Sequence, residues 1–506
     1  MDTLNTVSTL AYDKPIVASE RGTRWDIVFL AAIFIALAAW TYLLPPIWNH
    51  GEAREGLVVQ DIVRDHEWVL PDPNEGIPSK PPLFHWIGAV LAIAFGLSDW
   101  TVRLPSALAA GAMATMTFML GKAIGGRRTG WLAVGALLGM YEFWVSGTEA
   151  RVDMVFATCV TASLTGFFFW QRDGREWGRA VCYLGAACAV LAKGPAGAAF
   201  PALVIIAFLI VDKRPKQLWR LWSWPWVALT LAIDIGWYAG AYHIGGKPFL
   251  EVQIFRENFD QVLGTNGFST RHGKFAAFGW LATRLFPWNL ALLVGLLRRT
   301  RGSREDSTGR FLHSWWMVIF VIVFLSTIKR AIYLLPAYPA VALLAGRELA
   351  RIADSGALKA HLARLKISRL QSVGLIIALV DLVLLLPNPS VWKRNVAFRS
   401  MLDFVRDVET VVPANGRFFA APELANPTLQ VVAYRLERHI LRMPIACGAH
   451  DDYFLAPALA AAGGEAEVLA TSADGKSIVM KGGRPDPESC AAEKAHLPAI
   501  DEDDSD

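Results

Sequence analysis

The sequence predicts an all-α, polytopic membrane protein with about 11 transmembrane helices and a small C-terminal α/β domain outside the membrane. Of the 506 residues, 54% are hydrophobic and only 19% are charged, whereas soluble domains carry about 25% charged residues. The apolar residues also form runs of roughly 17–22 residues, the length that crosses the hydrocarbon core of a bilayer. The net charge of +4 is too small to indicate a nucleic-acid partner.

The predicted transmembrane domain covers residues 27–387. Its spans are 27–45, 103–122, 130–147, 153–170, 180–192, 196–211, 222–241, 276–297, 314–328, 332–346 and 370–387. The apolar stretch 83–97 follows two prolines and has only about 15 residues, so we expect an interfacial or re-entrant helix there. The first span has no small-residue cleavage site after it, which indicates an uncleaved anchor behind a cytoplasmic segment, residues 1–26.

The distribution of Lys and Arg orients these spans. With the N-terminus inside, the loops 122–128, 172–179, 212–220, 298–310 and 347–369 are cytoplasmic, and each is rich in Lys or Arg, as the positive-inside rule requires. The polar segments suited to chemistry then all fall on the outer face; they are 50–82, 147–153, 193–195, 243–274 and 329–333. We therefore expect an extracytoplasmic site.

Residues 388–495 are predicted to form an extracytoplasmic α/β domain. Phe398–Val408 has a helical pattern, and Ala466–Thr471 with Ser477–Lys481 has the pattern of a β-hairpin. Cys447 and Cys490 either pair as a disulfide in an exported domain or stay free. The acidic tail 496–506 is predicted to be disordered.

The first outer loop, 46–102, contains an amphipathic stretch. Apolar residues recur at helical spacing within residues 52–65, which predicts a helix lying on the membrane surface. Glu52 falls in the first turn of this helix. It is either a functional carboxylate or only a partner of the helix dipole.

Several motifs follow one another in a characteristic order. They are Gly51-Glu-Ala-Arg-Glu55, Trp68-Val-Leu-Pro71, Lys80-Pro-Pro-Leu83, Arg103-Leu-Pro-Ser-Ala-Leu108, Glu149-Ala-Arg-Val-Asp153, Leu191-Ala-Lys-Gly-Pro195, Phe255-Arg-Glu-Asn-Phe259, Phe286-Pro-Trp288 and Tyr333-Leu-Leu-Pro-Ala-Tyr-Pro339. This ordered set resembles the membrane glycosyltransferases of the GT-C fold. It is most similar to bacterial relatives of protein O-mannosyltransferases and of aminoarabinose (lipid A) transferases, families 39 and 83. The resemblance covers residues 27–346, and the C-terminal domain lies outside it.

The resemblance implies that a sugar moves from a polyprenyl-phosphate donor to an acceptor hydroxyl at the outer face of the plasma membrane, with inversion. The acceptor would be a glycolipid, a polysaccharide or a protein. In the family an acidic residue of the first outer loop is the base, commonly the Asp of an Asp-Glu pair. Here Gly51-Glu52 takes that place, so Glu52 is the leading base and Asp153 or Glu149 the substitutes. Ser79 replaces an acidic residue of the lipid A branch, which removes a metal ligand and leaves open whether a divalent cation takes part.

The leaving phosphate requires cations, and a sugar pocket requires polar and aromatic side chains. The phosphate candidates are Lys80, Arg256, His272 and Lys274, and the other substrate-contact candidates are Arg54, Glu149, Glu257, Lys329 and Tyr333. Simpler roles compete with these assignments. Lys193 and Lys329 would anchor span ends among lipid headgroups, Arg151 and Asp153 would only pair, Glu257 would be solvated, and Tyr333 would pack at the interface.

Two other classes of function share the many spans. A flippase or transporter places ionisable residues near the middle of the membrane and often has internal repeats; here no clear repeat is found, and Asp234 and Asp381 are the main charges within spans. A non-catalytic assembly or sensor protein would explain residues 388–506. It would not explain the acid and cations of the outer loops.

Overall fold

The computed structural model describes residues 20–71, 76–260, 275–294, 306–327, 329–354, 389–463 and 467–482, together with Gly273 and Cys490. The α-helices in chain order are α1 (Glu20–Leu43), α2 (His50–Arg64), α3 (Leu83–Phe95), α4 (Asp99–Leu138), α5 (Tyr141–Thr148), α6 (Val152–Asp173), α7 (Glu176–Lys193), α8 (Ala196–Val211), α9 (Gln217–Leu221), α10 (Trp224–Leu250), α11 (Ala276–Thr283), α12 (Ser307–Leu325), α13 (Tyr338–Asp354), α14 (Pro389–Val411) and α15 (Asn426–Leu436). A π-helix, Glu251–Asp260, and a 3₁₀-helix, Ala331–Ala337, interrupt this series. The strands are β1 (Phe418–Ala420), β2 (Tyr453–Pro457), β3 (Glu467–Thr471) and β4 (Ser477–Lys481).

The chain forms two compact units. The first comprises Met1–Tyr42, Lys80–Phe84 and Leu104–Leu384, and the second comprises Leu43–Ser79, His85–Arg103 and Leu385–Asp506. The first outer loop, which the sequence predicts to belong to the transmembrane domain, groups mostly with the C-terminal residues.

The predicted helical membrane fold is confirmed, while the number of spans stays a prediction. Among the described residues, four segments are long and apolar enough to cross a membrane: Thr23–Leu43, Asp99–Leu138, Val152–Asp173 and Ser307–Leu325. α3 has 13 residues, shorter than a span. The predicted span 370–387 lies outside the described residues. The range of α4 contains two helices separated by non-helical backbone at Gly125 and Gly126, where the φ of 85° at Gly126 favours glycine. This break lies between the predicted spans 103–122 and 130–147.

Small residues and aromatic rings hold the first unit together. α6 ends at its C-cap, Gly174, and the left-handed conformation of this glycine starts the turn that leads to α7. A Cβ atom on Gly166 would lie 2.5 Å from the backbone of Gly178, so these two helices approach as closely as small-residue interfaces in membranes allow. Phe208 and Phe311 pack 5.3 Å apart between α8 and α12.

The basic loops of the first unit are linked by polar contacts at one end of its helices. The contacts are Arg127–Asp26 at 2.7 Å, Arg128–Asp354 at 2.8 Å, Arg310–Asp212 at 2.7 Å, Arg347–Asp306 at 2.9 Å, and a hydrogen bond of 2.9 Å from Arg172 to the carbonyl of Ala123. All five loops that the sequence analysis grouped by charge take part. They therefore share one end of this unit.

The second unit contains the four-stranded sheet, in the order β1-β2-β4-β3. β1 and β2 are parallel, and the other two pairs are antiparallel. The predicted hairpin is confirmed as β3 and β4, and the predicted helix 398–408 lies within α14. Cys447 and Cys490 form a disulfide, which decides between the two alternatives left open by the sequence. α2 packs on α15, where the Gln60 amide donates to the carbonyl of Tyr434 at 3.2 Å.

Candidate functional site

In the second unit, α2 begins with a reciprocal cap. Asn49 is the N-cap, and its side-chain oxygen accepts from the backbone N–H of Glu52 at 2.9 Å. The Asn49 amide in turn donates to Glu52 Oε2 at 2.9 Å. Asn is among the best N-cap residues because its oxygen satisfies a free N–H of the first turn. The cap fixes the Glu52 side chain at the start of the helix.

Glu52 also forms a buried ion pair with Arg103. Arg103 Nε donates to Oε1 at 2.7 Å and Nη2 donates to Oε2 at 3.0 Å, while Nη1 donates to the carbonyl of Pro45 at 2.9 Å. The Glu52 side chain is 2% exposed. Both carboxylate oxygens therefore accept strong charged hydrogen bonds, and the pair ties the start of α2 to Arg103 and to the preceding turn.

A second buried carboxylate lies one turn further along α2. Glu55 Oε2 is 2.7 Å from His85 Nε2, and Glu55 Oε1 accepts from Arg54 at 2.8 Å. Burial would raise the pKa of Glu55, but the charge of Arg54 and the hydrogen bond from His85 outweigh it and bring the pKa from 4.5 to about 2. Glu55 is therefore ionised at neutral pH.

In the first unit, Asp153 and Lys193 form an ion pair. Asp153 is in the first turn of α6 and Lys193 is the last residue of α7. The ammonium of Lys193 lies 4.3 Å from the ring centre of Tyr333 and 5.4 Å from that of Phe156, so cation–π attraction holds it as well. The Asp153 side chain is 22% exposed and stays accessible to a small reactant.

Further charges surround this pair. Arg151 donates to Glu149 Oε2 at 2.9 Å, and its backbone N–H donates to the Ser106 hydroxyl at 3.0 Å. Arg151 and Lys80 both attract the Asp153 carboxylate electrostatically. The first unit thus brings together four of the candidate residues, Lys80, Glu149, Asp153 and Tyr333, with Lys193.

The other candidates are placed as follows. Lys329 is buried and donates to the carbonyl of Ser326. Arg256 is half-buried on the π-helix. His272, Lys274 and the side chain of Glu257 lie outside the described residues, so the assignments on them stay predictions.

Sequence reasoning missed Arg103 and His85. Arg103 begins the motif Arg103-Leu-Pro-Ser-Ala-Leu108. A charged residue at the start of an apolar run is a signal that could have identified it as a candidate. Its partner is 51 positions away, which no local pattern reveals. For Lys193 the sequence is compatible with a site residue and with a membrane anchor. The ring of Tyr333 beside its ammonium favours a specific site.

Residues 79–236 match the family described as dolichyl-phosphate-mannose-protein mannosyltransferase. The undecaprenyl phosphate-alpha-4-amino-4-deoxy-L-arabinose arabinosyl transferase of Shewanella sediminis is 25% identical over 325 residues, which cover 62% of this chain and 59% of the relative. The Aeromonas hydrophila protein of the same name is 26% identical over 337 residues, covering 64% and 59%. The chain thus spans about three fifths of the length of these curated relatives.

Solved structures show the same fold. ArnT from Cupriavidus metallidurans, bound to undecaprenyl phosphate, has a TM-score of 0.72 and 18% identity over 90% of this chain and 98% of that one. The archaeal oligosaccharyltransferase AglB from Archaeoglobus fulgidus has a TM-score of 0.53 and 13% identity over 87% and 70%. The resemblance to GT-C membrane glycosyltransferases that the motifs indicated is confirmed.

Proposed function

We propose that this membrane protein, which has the GT-C fold of the aminoarabinose transferases, moves a sugar from a polyprenyl-phosphate donor to an acceptor hydroxyl. Lipid A or a related glycolipid is the acceptor that the resemblance to aminoarabinose (lipid A) transferases implies, and transfer occurs with inversion. The observation that carries this proposal is the Asp153 cluster, defined as Asp153, Lys193, Lys80, Arg151 and Tyr333.

The cluster combines the groups that the reaction requires. Lys80, Lys193 and Arg151 supply positive charge for a lipid-linked phosphate, whose charge grows as the glycosidic bond breaks. Asp153 supplies a carboxylate for the acceptor proton, and Tyr333 supplies a ring beside the ammonium. Arg256, His272 and Lys274 complete the proposed phosphate contacts, and Arg54, Glu149, Glu257 and Lys329 the proposed substrate contacts.

Two carboxylates compete for the role of base. Glu52 accepts three hydrogen bonds from Asn49 and Arg103 and is almost fully buried, so its geometry favours holding the loop in place. Asp153 is more exposed, and a phosphate that attracts Lys193 would release the Asp153 carboxylate to accept a proton. We therefore assign the base to Asp153 and keep Glu52 as the alternative.

The site is assigned to the outer face of the plasma membrane, with the N-terminus in the cytoplasm and the C-terminal domain outside. α6 has 22 residues, a length of about 33 Å at 1.5 Å per residue. Asp153 lies in the first turn of this helix, and Arg172 lies in its last turn, where the basic loops meet. Basic loops favour the cytoplasm, which puts Asp153 outside. The Cys447–Cys490 disulfide favours an oxidising compartment for the second unit.

The test is sugar transfer by the purified chain in lipid nanodiscs. Undecaprenyl-phosphate aminoarabinose is the donor, lipid A is the acceptor, and the product is read by mass spectrometry. Asp153→Asn is expected to lower the rate at least about 100-fold, the usual contribution of a general base. Asp173→Asn, at the opposite end of α6, is the control and should keep the rate. Equal rates for Asp153→Asn and the unmodified chain would reject Asp153 as base, and no product with any polyprenyl-phosphate sugar would reject the function.

A further inference from the structure

Asp61, Asp65 and His439 converge on the surface of the second unit, apart from the residues assigned above. Asp61 and Asp65 lie one turn apart, Asp61 within α2 and Asp65 at its C-cap, so their side chains share one face. His439 follows α15, where Glu437 adopts a left-handed conformation with φ of 54° and turns the chain back toward α2.

Two of the three separations between donor atoms match those of a tetrahedral coordination shell. His439 Nε2 is 3.4 Å from Asp61 Oδ1 and 3.4 Å from Asp65 Oδ2, and one donor atom of each residue lies within 4.8 Å of the other two. Ligands about 2.0–2.1 Å from a tetrahedral ion are separated by roughly 3.3 Å. Both imidazole–carboxylate separations are close to that value and longer than a good hydrogen bond.

Contacts around the three donor residues hold α2 and the turn after α15 together without any ion. Arg64 pairs with Glu437 and donates to the Glu437 carbonyl at 2.7 Å. Arg438 donates to the Pro413 carbonyl at 3.2 Å and lines a small cavity together with Asp61 and His439. These two cations are engaged with other oxygens, and the donors are positioned before a ligand arrives, which lowers the entropic cost of binding.

We propose that Asp61, Asp65 and His439 bind a divalent first-row transition ion, with Zn²⁺ the best match. An imidazole with two carboxylates is a borderline donor set that suits Zn²⁺, whereas Mg²⁺ and Ca²⁺ prefer oxygen ligands alone. The ion fastens α2 to the turn after α15 and neutralises the two carboxylates. This site is separate from the proposed transferase chemistry and does not depend on it.

The experiment uses the full chain in detergent, stripped with a chelator and then titrated with Co²⁺ as a spectroscopic probe and with Zn²⁺. We expect a tetrahedral Co²⁺ absorption band and a higher apparent Tm with Zn²⁺, with little response to Mg²⁺. His439→Gln and Asp65→Asn should each weaken Co²⁺ binding at least about 10-fold, the lower end of the effect of disturbing a metal site. His450→Gln changes an exposed histidine of the same unit and should bind as the unmodified chain does.

Equal Co²⁺ affinity in His439→Gln and in the unmodified chain would overturn the site, as would binding that responds only to Mg²⁺ or Ca²⁺. The absence of any Co²⁺ band would leave a charged cluster in which His439 is merely a salt-bridge partner, and would also overturn the proposal. The His439 side chain is 50% exposed, so its substitution should not impair folding. If His439→Gln and the unmodified chain have the same Tm in chelator, the substitution has not impaired folding. Because no readout involves sugar transfer, failure of this proposal is distinguishable from failure of the proposed function.

Discussion

Removing one member of the Glu52–Arg103 pair is expected to destabilise the protein more than removing both. Arg103 donates two hydrogen bonds to Glu52, at 2.7 and 3.0 Å, and both side chains are buried. Hydrogen bonds to charged groups contribute about 1.5–3 kcal/mol each, and breaking a buried pair by removing one partner costs about 3–5 kcal/mol because the other charge is left uncompensated. We therefore expect a loss in that range for Glu52→Gln and for Arg103→Met.

The assay is a double-mutant cycle on the purified chain, followed by the apparent Tm from tryptophan fluorescence. The double variant Glu52→Gln/Arg103→Met should lose much less stability than the sum of the two single losses, since no buried charge remains. Arg406→Met is the control, because its ion pair with Asp403 is exposed and such pairs contribute about 0–1 kcal/mol. Additive losses in the cycle would refute the reasoning.

The same cycle separates the two roles of Glu52. If Glu52 only holds the loop, the double variant should regain stability and sugar transfer together. If Glu52 is the base, the double variant should regain stability and stay inactive. The activity of Glu52→Gln alone does not distinguish these roles, because the substitution both removes a carboxylate and leaves Arg103 buried without its partner.

Three further results are expected. Because the pKa of Glu55 falls from 4.5 to about 2 on folding, its ion pairs contribute up to about 3 kcal/mol to stability above pH 4.5, and this contribution is lost as the pH falls toward 2. Between those pH values the Tm of Glu55→Gln should fall less than the Tm of the unmodified chain. An equal fall in Tm for the two proteins would contradict the ionised state of Glu55. Gly56→Ala should lower Tm by the equivalent of about 1–3 kcal/mol, since its Cβ would lie 2.4 Å from the ring of Tyr434, and adding Tyr434→Leu should recover part of that loss if the clash is the cause. Reducing the Cys447–Cys490 disulfide, which links residues 43 positions apart, should lower the free energy of unfolding by about 2–4 kcal/mol. The loss is measured as a fall in Tm when dithiothreitol is added, and Cys447→Ala should show no such fall.

Most elements predicted from local patterns agree with the structure where it describes them. The predicted span 276–297 does not form one helix, because α11 ends at Thr283 and a turn follows it. The first apolar run became α1, the hairpin became β3 and β4, and the stretch 83–97 became a helix of 13 residues. Each prediction rested on residues that are neighbours in the chain. The break at Gly125 and Gly126 lies between the predicted spans 103–122 and 130–147, so the range of α4 contains two helices where the hydropathy pattern predicts two separate segments.

The candidate site was predicted in part. Lys80, Glu149, Asp153 and Tyr333 were chosen as functional, and the first unit brings them to one cluster with Lys193. The choice of Glu52 rested on residue type and on the resemblance to a family. The structure adds Arg103 as its partner, and this changes what the carboxylate is able to do.

The hydropathy and charge of successive segments are enough to predict a helical membrane protein and to locate its positively charged loops. Those properties depend on the composition of contiguous residues, since a bilayer acts on each segment separately. The pairing of ionisable groups, and the grouping of most of the first outer loop with the C-terminal residues in one unit, are visible only in the folded chain. Pairing depends on distances between residues far apart in the chain, and the free energy of a buried charge is set by the partner that folding places beside it.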